Sequence, residues 1–235
     1  LKLAADASEV QAAEPQISFH LDKTVRIGVA EDEAFCFYYK DNFRLLKSMG
    51  AELVSFSPMH DAHLPNDLQG LILGGGYPEL NARELEENAS MREDVRRALN
   101  DGMPCLAECG GFMYLHDEME AMDGNSYHMA GVISGRAYRT QRLNRFGYVT
   151  LTQKKEVLRM NDMGGIPAHE FHYFDSENCG DDFDAKKPAS HRKWNCIHGT
   201  DTMMAGFPHL YFYGNPKVPE AFLRKCSQYG RQDAR

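Results

Sequence analysis

The first half of the chain contains short runs of consecutive apolar residues, at 25–30, 51–56, 68–73 and 104–107. Runs of this length without apolar–polar alternation are typical of strands that are buried on both faces. Strands of this kind belong to parallel sheets, in which helices cover the sheet. We therefore predict four strands of a mostly parallel sheet.

The segments between these runs have apolar residues at helical spacing. Asp41 is placed to cap a helix that extends to Met49, where Gly50 ends it. A second helix is predicted over residues 83–100, and Gly102 ends it. The order of strands and helices predicts an α/β domain with helices on both faces of the sheet.

The second half of the chain has a different pattern. Strand-like segments separated by Gly-containing turns occur at 129–133, 148–151 and 166–173. The polar segment 176–200 is predicted to be a loop or an exposed hairpin, and 219–229 a closing helix. This half is predicted to be more irregular and antiparallel.

Composition limits the classes of function. Residues 1–23 are polar and Ala-rich without periodicity, so we interpret them as a linker before one domain, residues 24–235. A net charge of −8 gives no basic surface for nucleic acid or an anionic membrane. No secretion signal is recognisable, so the six scattered cysteines are expected to be reduced in the cytoplasm. The spacings of a zinc site are absent, and no metal is expected.

The candidate chemistry centres on Cys109, which lies in a Glu-Cys-Gly-Gly corner between an apolar strand and an apolar helix start. Such a corner exposes a nucleophile beside backbone amides and the positive end of a helix. A second Gly-rich turn, Gly74-Gly75-Gly76, matches neither phosphate-binding fingerprint and would suit oxyanion stabilisation. The alternatives are an inert core cysteine and an ordinary tight turn.

A thiolate nucleophile needs a base, and the candidate is His209 in the apolar run near the C-terminus. His169 and His172 compete, but on a strand they would face opposite sides. A core histidine is the alternative for each. The arginines at 136, 139, 142 and 145 indicate either a solvated face or carboxylate recognition.

Five motifs occur together in one order. They are EDEAFCFYY at 31–39, LGGGYPEL at 73–80, AECGGFMYL at 107–115, RFGY at 145–148 and HEFHY at 169–173. Together they resemble the glutaminase domain of the cobyrinic acid a,c-diamide synthase family, over about Val25 to Pro216. The resemblance implies a class I glutamine amidotransferase fold, which is flavodoxin-like.

The resemblance also implies roles for single residues. Cys109 would attack the side-chain amide of L-glutamine, and His209 would activate it. The Gly110 amide and one from Gly75 or Gly76 would form the oxyanion hole. Further candidates for a substrate loop are the motif residues Tyr77, Arg145, His169 and Glu170.

The resemblance implies a partner as well. An N-terminal synthetase domain, absent here, would join at the linker, bind ATP and Mg²⁺, and present the corrinoid acceptor. No cofactor is expected in this chain. Alternatives within the class amidate cobyric acid, a nickel sirohydrochlorin or a cell-wall precursor. From other classes, a non-catalytic docking module and a flavodoxin-like nucleotide binder stay open.

Two departures from the family pattern affect the base. Pro208 precedes His209 and restricts the local backbone. Tyr211 occupies the position where many class I glutaminases have a Glu that orients the imidazole. We therefore expect a Cys-His dyad, with the orienting group unidentified.

Overall fold

The computed structural model describes residues 17–143 and 145–229. The strands within these residues are β1 (Val25–Ala30), β2 (Ala51–Phe56), β3 (Gly70–Leu73), β4 (Cys105–Glu108), β5 (His116–Glu120), β6 (Ser126–His128), β7 (Ile133–Arg139), β8 (Arg145–Gln153), β9 (Ile166–His172), β10 (Phe174–Ser176), β11 (Phe183–Lys186), β12 (Lys193–Cys196), β13 (His198–Gly199), β14 (Met203–Gly206) and β15 (His209–Leu210). The helices are α1 (Lys40–Ser48), α2 (Ala82–Glu87), α3 (Ala89–Asn100), α4 (Gly110–Tyr114) and α5 (Lys217–Tyr229), with 3₁₀ turns at Pro78–Leu80 and Phe212–Gly214.

The central sheet has the strand order β13-β14-β4-β3-β1-β2. Its neighbouring strands are parallel except for β13, which is antiparallel to β14. Strand β4 lies between β14 and β3, so its C-terminal end opens at the middle of the sheet edge. Ligand sites of open α/β sheets form at this edge.

Alternate residues of the parallel strands pack into two separate cores. Ile72 and Leu106 belong to the core that α1 and α5 cover. Leu71, Leu73 and Cys105 belong to the core on the other face, which includes residues of α2 and α3. The prediction of a mostly parallel sheet with helices on both faces is therefore confirmed.

Both predicted helices of the first half need correction. The single helix over 83–100 is wrong, because Asn88 separates α2 from α3. Its side-chain oxygen accepts from the Met91 amide at 3.4 Å, which caps α3. Asp41 is not the cap of α1: Tyr39 holds that position, and Asp41 pairs with Arg44 at 2.9 Å in the first turn.

Two antiparallel sheets form the second half, with strand orders β10-β7-β5-β6 and β12-β11-β8-β9-β15. In the first sheet β5 and β7 are nevertheless parallel neighbours. The predicted strand at 129–133 is wrong, since β7 begins at Ile133. Met129 and Ala130 are apolar because they are buried in the preceding loop.

The polar segment 176–200 was predicted to be either a loop or an exposed hairpin. It contains the antiparallel hairpin of β11 and β12. It is not fully exposed, because Phe183 and Ala185 point into the core.

The predicted linker lies partly outside the described residues, which begin at residue 17. Residues 17–23 have no helix or strand, yet Leu21 is buried and its amide donates to the Met49 carbonyl at 2.9 Å. This end of the predicted linker therefore packs on the domain. Within the described part of the chain, the helices are too short or too polar to cross a lipid bilayer.

Candidate active site

Cys109 occupies a strained corner directly after β4. Its backbone has φ 48° and ψ −102°, a conformation that L-residues rarely adopt. The corner is held from both sides, because the Cys109 amide donates to the Gly206 carbonyl at 2.9 Å and the Gly111 amide donates to the Gly74 carbonyl at 2.8 Å. Strain of this kind persists only where the surrounding structure enforces it, and it clusters at functional sites.

The surroundings of the thiol differ from the prediction in two respects. Cys109 is 8% exposed, so the corner places the thiol in a covered site and not in open solvent. Helix α4 spans only five residues. So short a helix has a small dipole.

The Gly-rich turn after β3 lies against this corner. A Cβ atom at Gly110 would lie 3.2 Å from the Gly76 amide nitrogen, so the two backbones are in close contact. Gly76 has φ 154°, and a Cβ there would lie 2.1 Å from the Ala34 carbonyl oxygen. The predicted oxyanion-hole residues Gly75, Gly76 and Gly110 are thus neighbours around Cys109.

His209 is brought to the same point by β15, and it is 6% exposed. Its ring packs edge-on against Phe37, with 4.8 Å between ring centroids. A Cβ at Gly75 would lie 2.5 Å from His209 Cε1, so only glycine leaves room for the imidazole. The turn after β3 therefore accommodates both the corner and the base.

The charge state of His209 follows from its neighbours. Burial alone would lower the pKa of His209, but hydrogen bonding to Cys109 and the negative charges of Cys109 and Glu108 outweigh it and raise that pKa to about 10. The imidazole is therefore protonated at neutral pH when the thiol has lost its proton. A thiolate–imidazolium pair is the nucleophilic form of a cysteine.

Glu108 also reaches His209, which the sequence analysis did not predict. Its Oε2 lies 3.5 Å from His209 Nδ1, and its Oε1 accepts a hydrogen bond from the Leu210 amide at 3.3 Å. The signal was present in the sequence: a carboxylate ends an apolar strand that is otherwise buried.

Asn42 is a second residue that the sequence analysis missed. This buried amide of α1 donates to the Leu210 carbonyl at 2.7 Å and accepts from the Phe212 amide at 2.9 Å. It thereby clamps the backbone that follows His209. The sequence did not indicate this role, because an Asn within a helical segment usually faces solvent.

The two departures from the family pattern have structural outcomes. Tyr211 is turned outward, with its ring edge-on to Tyr39 at 5.8 Å between centroids. Pro208 lies in the turn between β14 and β15, where the chain passes from the parallel sheet to the antiparallel one. Proline suits this connection because the ladder hydrogen bonds end at Gly206 and resume at His209.

The candidates for a substrate loop lie apart from one another. Tyr77 is exposed beside the Gly-rich turn. The other three candidates are in strands and not in a loop. His169 of β9 pairs with His209 in register, so it is next to the base.

Two of these candidates point away from the site. Glu170 is fully buried, receives a hydrogen bond from Trp194 Nε1 at 3.2 Å and lies 3.4 Å from His172 Nε2. Arg145 stacks over Trp194 and pairs with Asp175 at 3.9 Å. The carboxylate of Glu170 therefore has its partners inside the fold, and Arg145 shares that interior cluster. Their role at a substrate loop stays a prediction.

Comparisons with known proteins show the family of the chain. The CobB/CobQ-like glutamine amidotransferase domain matches residues 26–216. A relative from Caldanaerobacter subterraneus named cobyrinate a,c-diamide synthase is 38% identical over 90% of this chain and 47% of that protein. Relatives with the same name come from Picrophilus torridus (37% identical; 96% of this chain, 49% of that protein) and Clostridium acetobutylicum (40%; 84% and 45%). The chain spans about half the length of the curated relatives that it matches.

Solved structures share the fold at low sequence identity. The structure of PurLQS from Thermotoga maritima superposes with a TM-score of 0.58 at 16% identity, over 87% of this chain and 98% of that one. A crystal structure of a glutamine amidotransferase superposes with a TM-score of 0.57 at 15% identity, over 86% and 98%. These likenesses confirm the predicted fold class.

Proposed function

The chain belongs to the CobB/CobQ-like glutamine amidotransferase family, and we propose that it hydrolyses L-glutamine through a covalent thioester on Cys109. The observation that carries the proposal is the meeting of Cys109 and His209. The two side chains interact in a covered site, beside the amides of Gly76 and Gly110.

In the first half of the reaction, the Cys109 thiolate attacks the side-chain amide carbon of glutamine. A C–S bond forms, and the carbonyl oxygen becomes an oxyanion within reach of the Gly110 amide and the Gly75–Gly76 turn. The imidazolium of His209 donates its proton to the amide nitrogen as the C–N bond breaks. Ammonia leaves, and a γ-glutamyl thioester stays on Cys109.

In the second half, His209 is neutral and accepts a proton from a water molecule. The resulting hydroxide attacks the thioester carbon, and the same amides stabilise the second oxyanion. The C–S bond then breaks, glutamate leaves, and the thiolate–imidazolium pair is restored. No metal or cofactor takes part in either half.

For the ammonia acceptor, we propose the a and c carboxylates of cobyrinic acid, in cobalamin biosynthesis. The name that the matched relatives share supports this acceptor over the alternatives. A carboxylate must be activated before ammonia can replace its oxygen. This step requires an ATP- and Mg²⁺-dependent synthetase unit, and the half of the relatives outside the match is where we place it.

One experiment tests glutamine hydrolysis and separates it from a non-catalytic docking role. A diazoketone analogue of L-glutamine should alkylate Cys109, as peptide mass spectrometry can show, and excess glutamine should protect it. The Cys109→Ser variant should stay unlabelled and release glutamate at least about 10⁴-fold more slowly. If wild-type protein is unlabelled, and releases no more glutamate than the variant with a synthetase partner present, the proposal is wrong.

A further inference from the structure

The last residue of β4 is unusual for its place in the fold. The three residues before Glu108 are buried apolar side chains of a central strand. The Glu108 side chain is itself only 17% exposed. A carboxylate that is largely removed from water is stable only when polar groups compensate for its lost hydration.

The compensating groups both belong to β15. Glu108 Oε1 accepts from the Leu210 amide at 3.3 Å, while Oε2 lies 3.5 Å from Nδ1 of the neighbouring His209. His209 Nδ1 is buried and has no hydrogen-bond partner within the described part of the chain. One carboxylate thus faces both the backbone and the ring of the segment that carries the base.

Among the residues that the structure describes, no other group is placed to orient this ring. Cys109 contacts it as the reacting thiol. His169 faces it from β9, and burial together with the positive charge of His209 lowers the pKa of His169, so that ring stays neutral. Tyr211 is turned away, and Phe37 and Gly75 have no charge.

The surroundings of Glu108 keep its charge available to His209. Burial raises the pKa of the Tyr38 and Tyr39 phenols, so both stay neutral beside it. A cavity of about 20 Å³, lined by Tyr38, Asn42 and Glu108 among others, lies next to the carboxylate.

We propose that Glu108 is the positioning residue of the base. It receives the Nδ1–H of His209, holds Nε2 toward Cys109, and stabilises the imidazolium. The group that orients the base thus comes from the strand of the nucleophile, and not from the position after the histidine. This role rests on the proposed glutamine hydrolysis, in which His209 first donates a proton and then accepts one.

The test compares Glu108→Gln and Glu108→Asp with a matched control in the full chain. Gln keeps the size of the side chain and can still accept from Leu210, but it removes the charge. Glu31→Gln is the control, because Glu31 directly follows β1 at the same edge of the sheet and is exposed. Thermal unfolding shows that each variant is folded.

The first readout does not depend on glutamine turnover. The rate of Cys109 carbamidomethylation by iodoacetamide is followed against pH, with peptide mass spectrometry to separate Cys109 from the exposed Cys36. Loss of the charge destabilises the imidazolium, so Glu108→Gln should move the onset of reactivity upward by about one pH unit. Glu31→Gln should leave the onset in place.

The second readout is glutamate release. Glu108→Gln should lower kcat by about 100-fold with little change in KM, and Glu108→Asp should recover part of the loss. The proposal is overturned if Glu108→Gln leaves both kcat and the alkylation profile within about twofold of the wild-type values. If wild-type protein releases no glutamate, the proposed function fails, while the alkylation profile still tests whether Glu108 acts on the His209–Cys109 pair.

Discussion

Cys109 and His209 come from two regions that differ in how they are held. Cys109 follows β4, which has parallel neighbours on both sides and buried cores on both faces. His209 lies on β15, a two-residue strand at the edge of an antiparallel sheet. The nucleophile is therefore fixed by the centre of the fold, while the base depends on a few separate contacts.

The antiparallel region also has an open face. Strands β8 and β9 direct Val149 and Ala168 into the core, and their alternate residues point outward. Tyr148 is 76% exposed on that outward face, and Phe146 and Phe171 pack edge-on beside it. Both regions contribute to the buried core, but the parallel region places Cys109, whereas the antiparallel region brings His209 and an exposed aromatic surface to the site.

The largest effect should come from filling the space under the base. Gly75→Ala introduces a Cβ at 2.5 Å from His209 Cε1, so the ring must move away from Cys109. We expect kcat for glutamate release to fall by about 100-fold, because a displacement of about 1 Å disrupts proton transfer.

Gly102→Ala is the matched control for this change. Unlike Gly75, Gly102 has a positive φ, of 87°, and a Cβ there meets nothing within 4 Å. The Gly102→Ala variant should lose about 1 kcal/mol of unfolding free energy and release glutamate at the wild-type rate. Equal losses of turnover in the two variants would mean that the contact with His209 does not account for the effect of Gly75→Ala.

The next effect should come from the clamp on the edge strand. Asn42→Ala leaves the Leu210 carbonyl and the Phe212 amide without their partner. Buried groups left unpaired cost about 1–3 kcal/mol each, so we expect a lower Tm together with a roughly tenfold fall in kcat/KM. Asn125→Ala, at an exposed turn, is the control. A normal kcat/KM in the destabilised variant would mean that β15 is held without Asn42.

Two buried histidines should respond to pH in opposite directions. The pKa of His209 is about 10 in the folded protein, above the ordinary 6.5, so its contribution to stability is present below pH 6.5 and lost as the pH rises toward 10. Burial, the largest effect, lowers the pKa of His116 to about 4, although a hydrogen bond to the Phe112 carbonyl opposes it. Its contribution is present above pH 6.5 and lost as the pH falls toward 4.

Urea unfolding of the wild type, His209→Gln and His116→Gln at about pH 5, 7 and 9 measures both contributions. The difference in unfolding free energy between wild type and His209→Gln should become smaller toward high pH. The corresponding difference for His116→Gln should become smaller toward low pH. If both differences in unfolding free energy changed in the same direction with pH, the assigned charge states would be contradicted.

The smallest effect should come from the open face. Tyr148→Ser removes an exposed ring that makes no core contact, so the unfolding free energy should change by less than about 0.5 kcal/mol. Glutamate release by the chain alone should also be unchanged. Val149→Ser, one residue along β8 and buried, should instead lose roughly 2–4 kcal/mol. Similar losses in both variants would mean that the outward face is packed after all.

The residue pattern was sufficient for four strands of the parallel sheet, β1 to β4, but not for the ends of the helices beside them. Consecutive apolar residues such as Leu71, Ile72 and Leu73 fit only a strand with both faces covered, and local turn chemistry marks the corner at Cys109. Pattern was weaker in the antiparallel region. The apolar residues Met129 and Ala130 lie in a buried loop, so their apolar side chains do not indicate a strand.

The chain's local chemistry thus marked Cys109, its Gly-rich neighbours and His209 as candidates for the site, with His169 and His172 as competing histidines. The contact that completes the site joins Glu108 to the segment that begins at His209, and Glu108 and Leu210 are 102 residues apart in the chain. The sequence around either residue does not specify the distance between them. That distance depends on where β14 ends, on the turn at Pro208 and on the pairing of β15 with β9. Folding of the whole domain, and not the preference of any segment, therefore sets the geometry of the base.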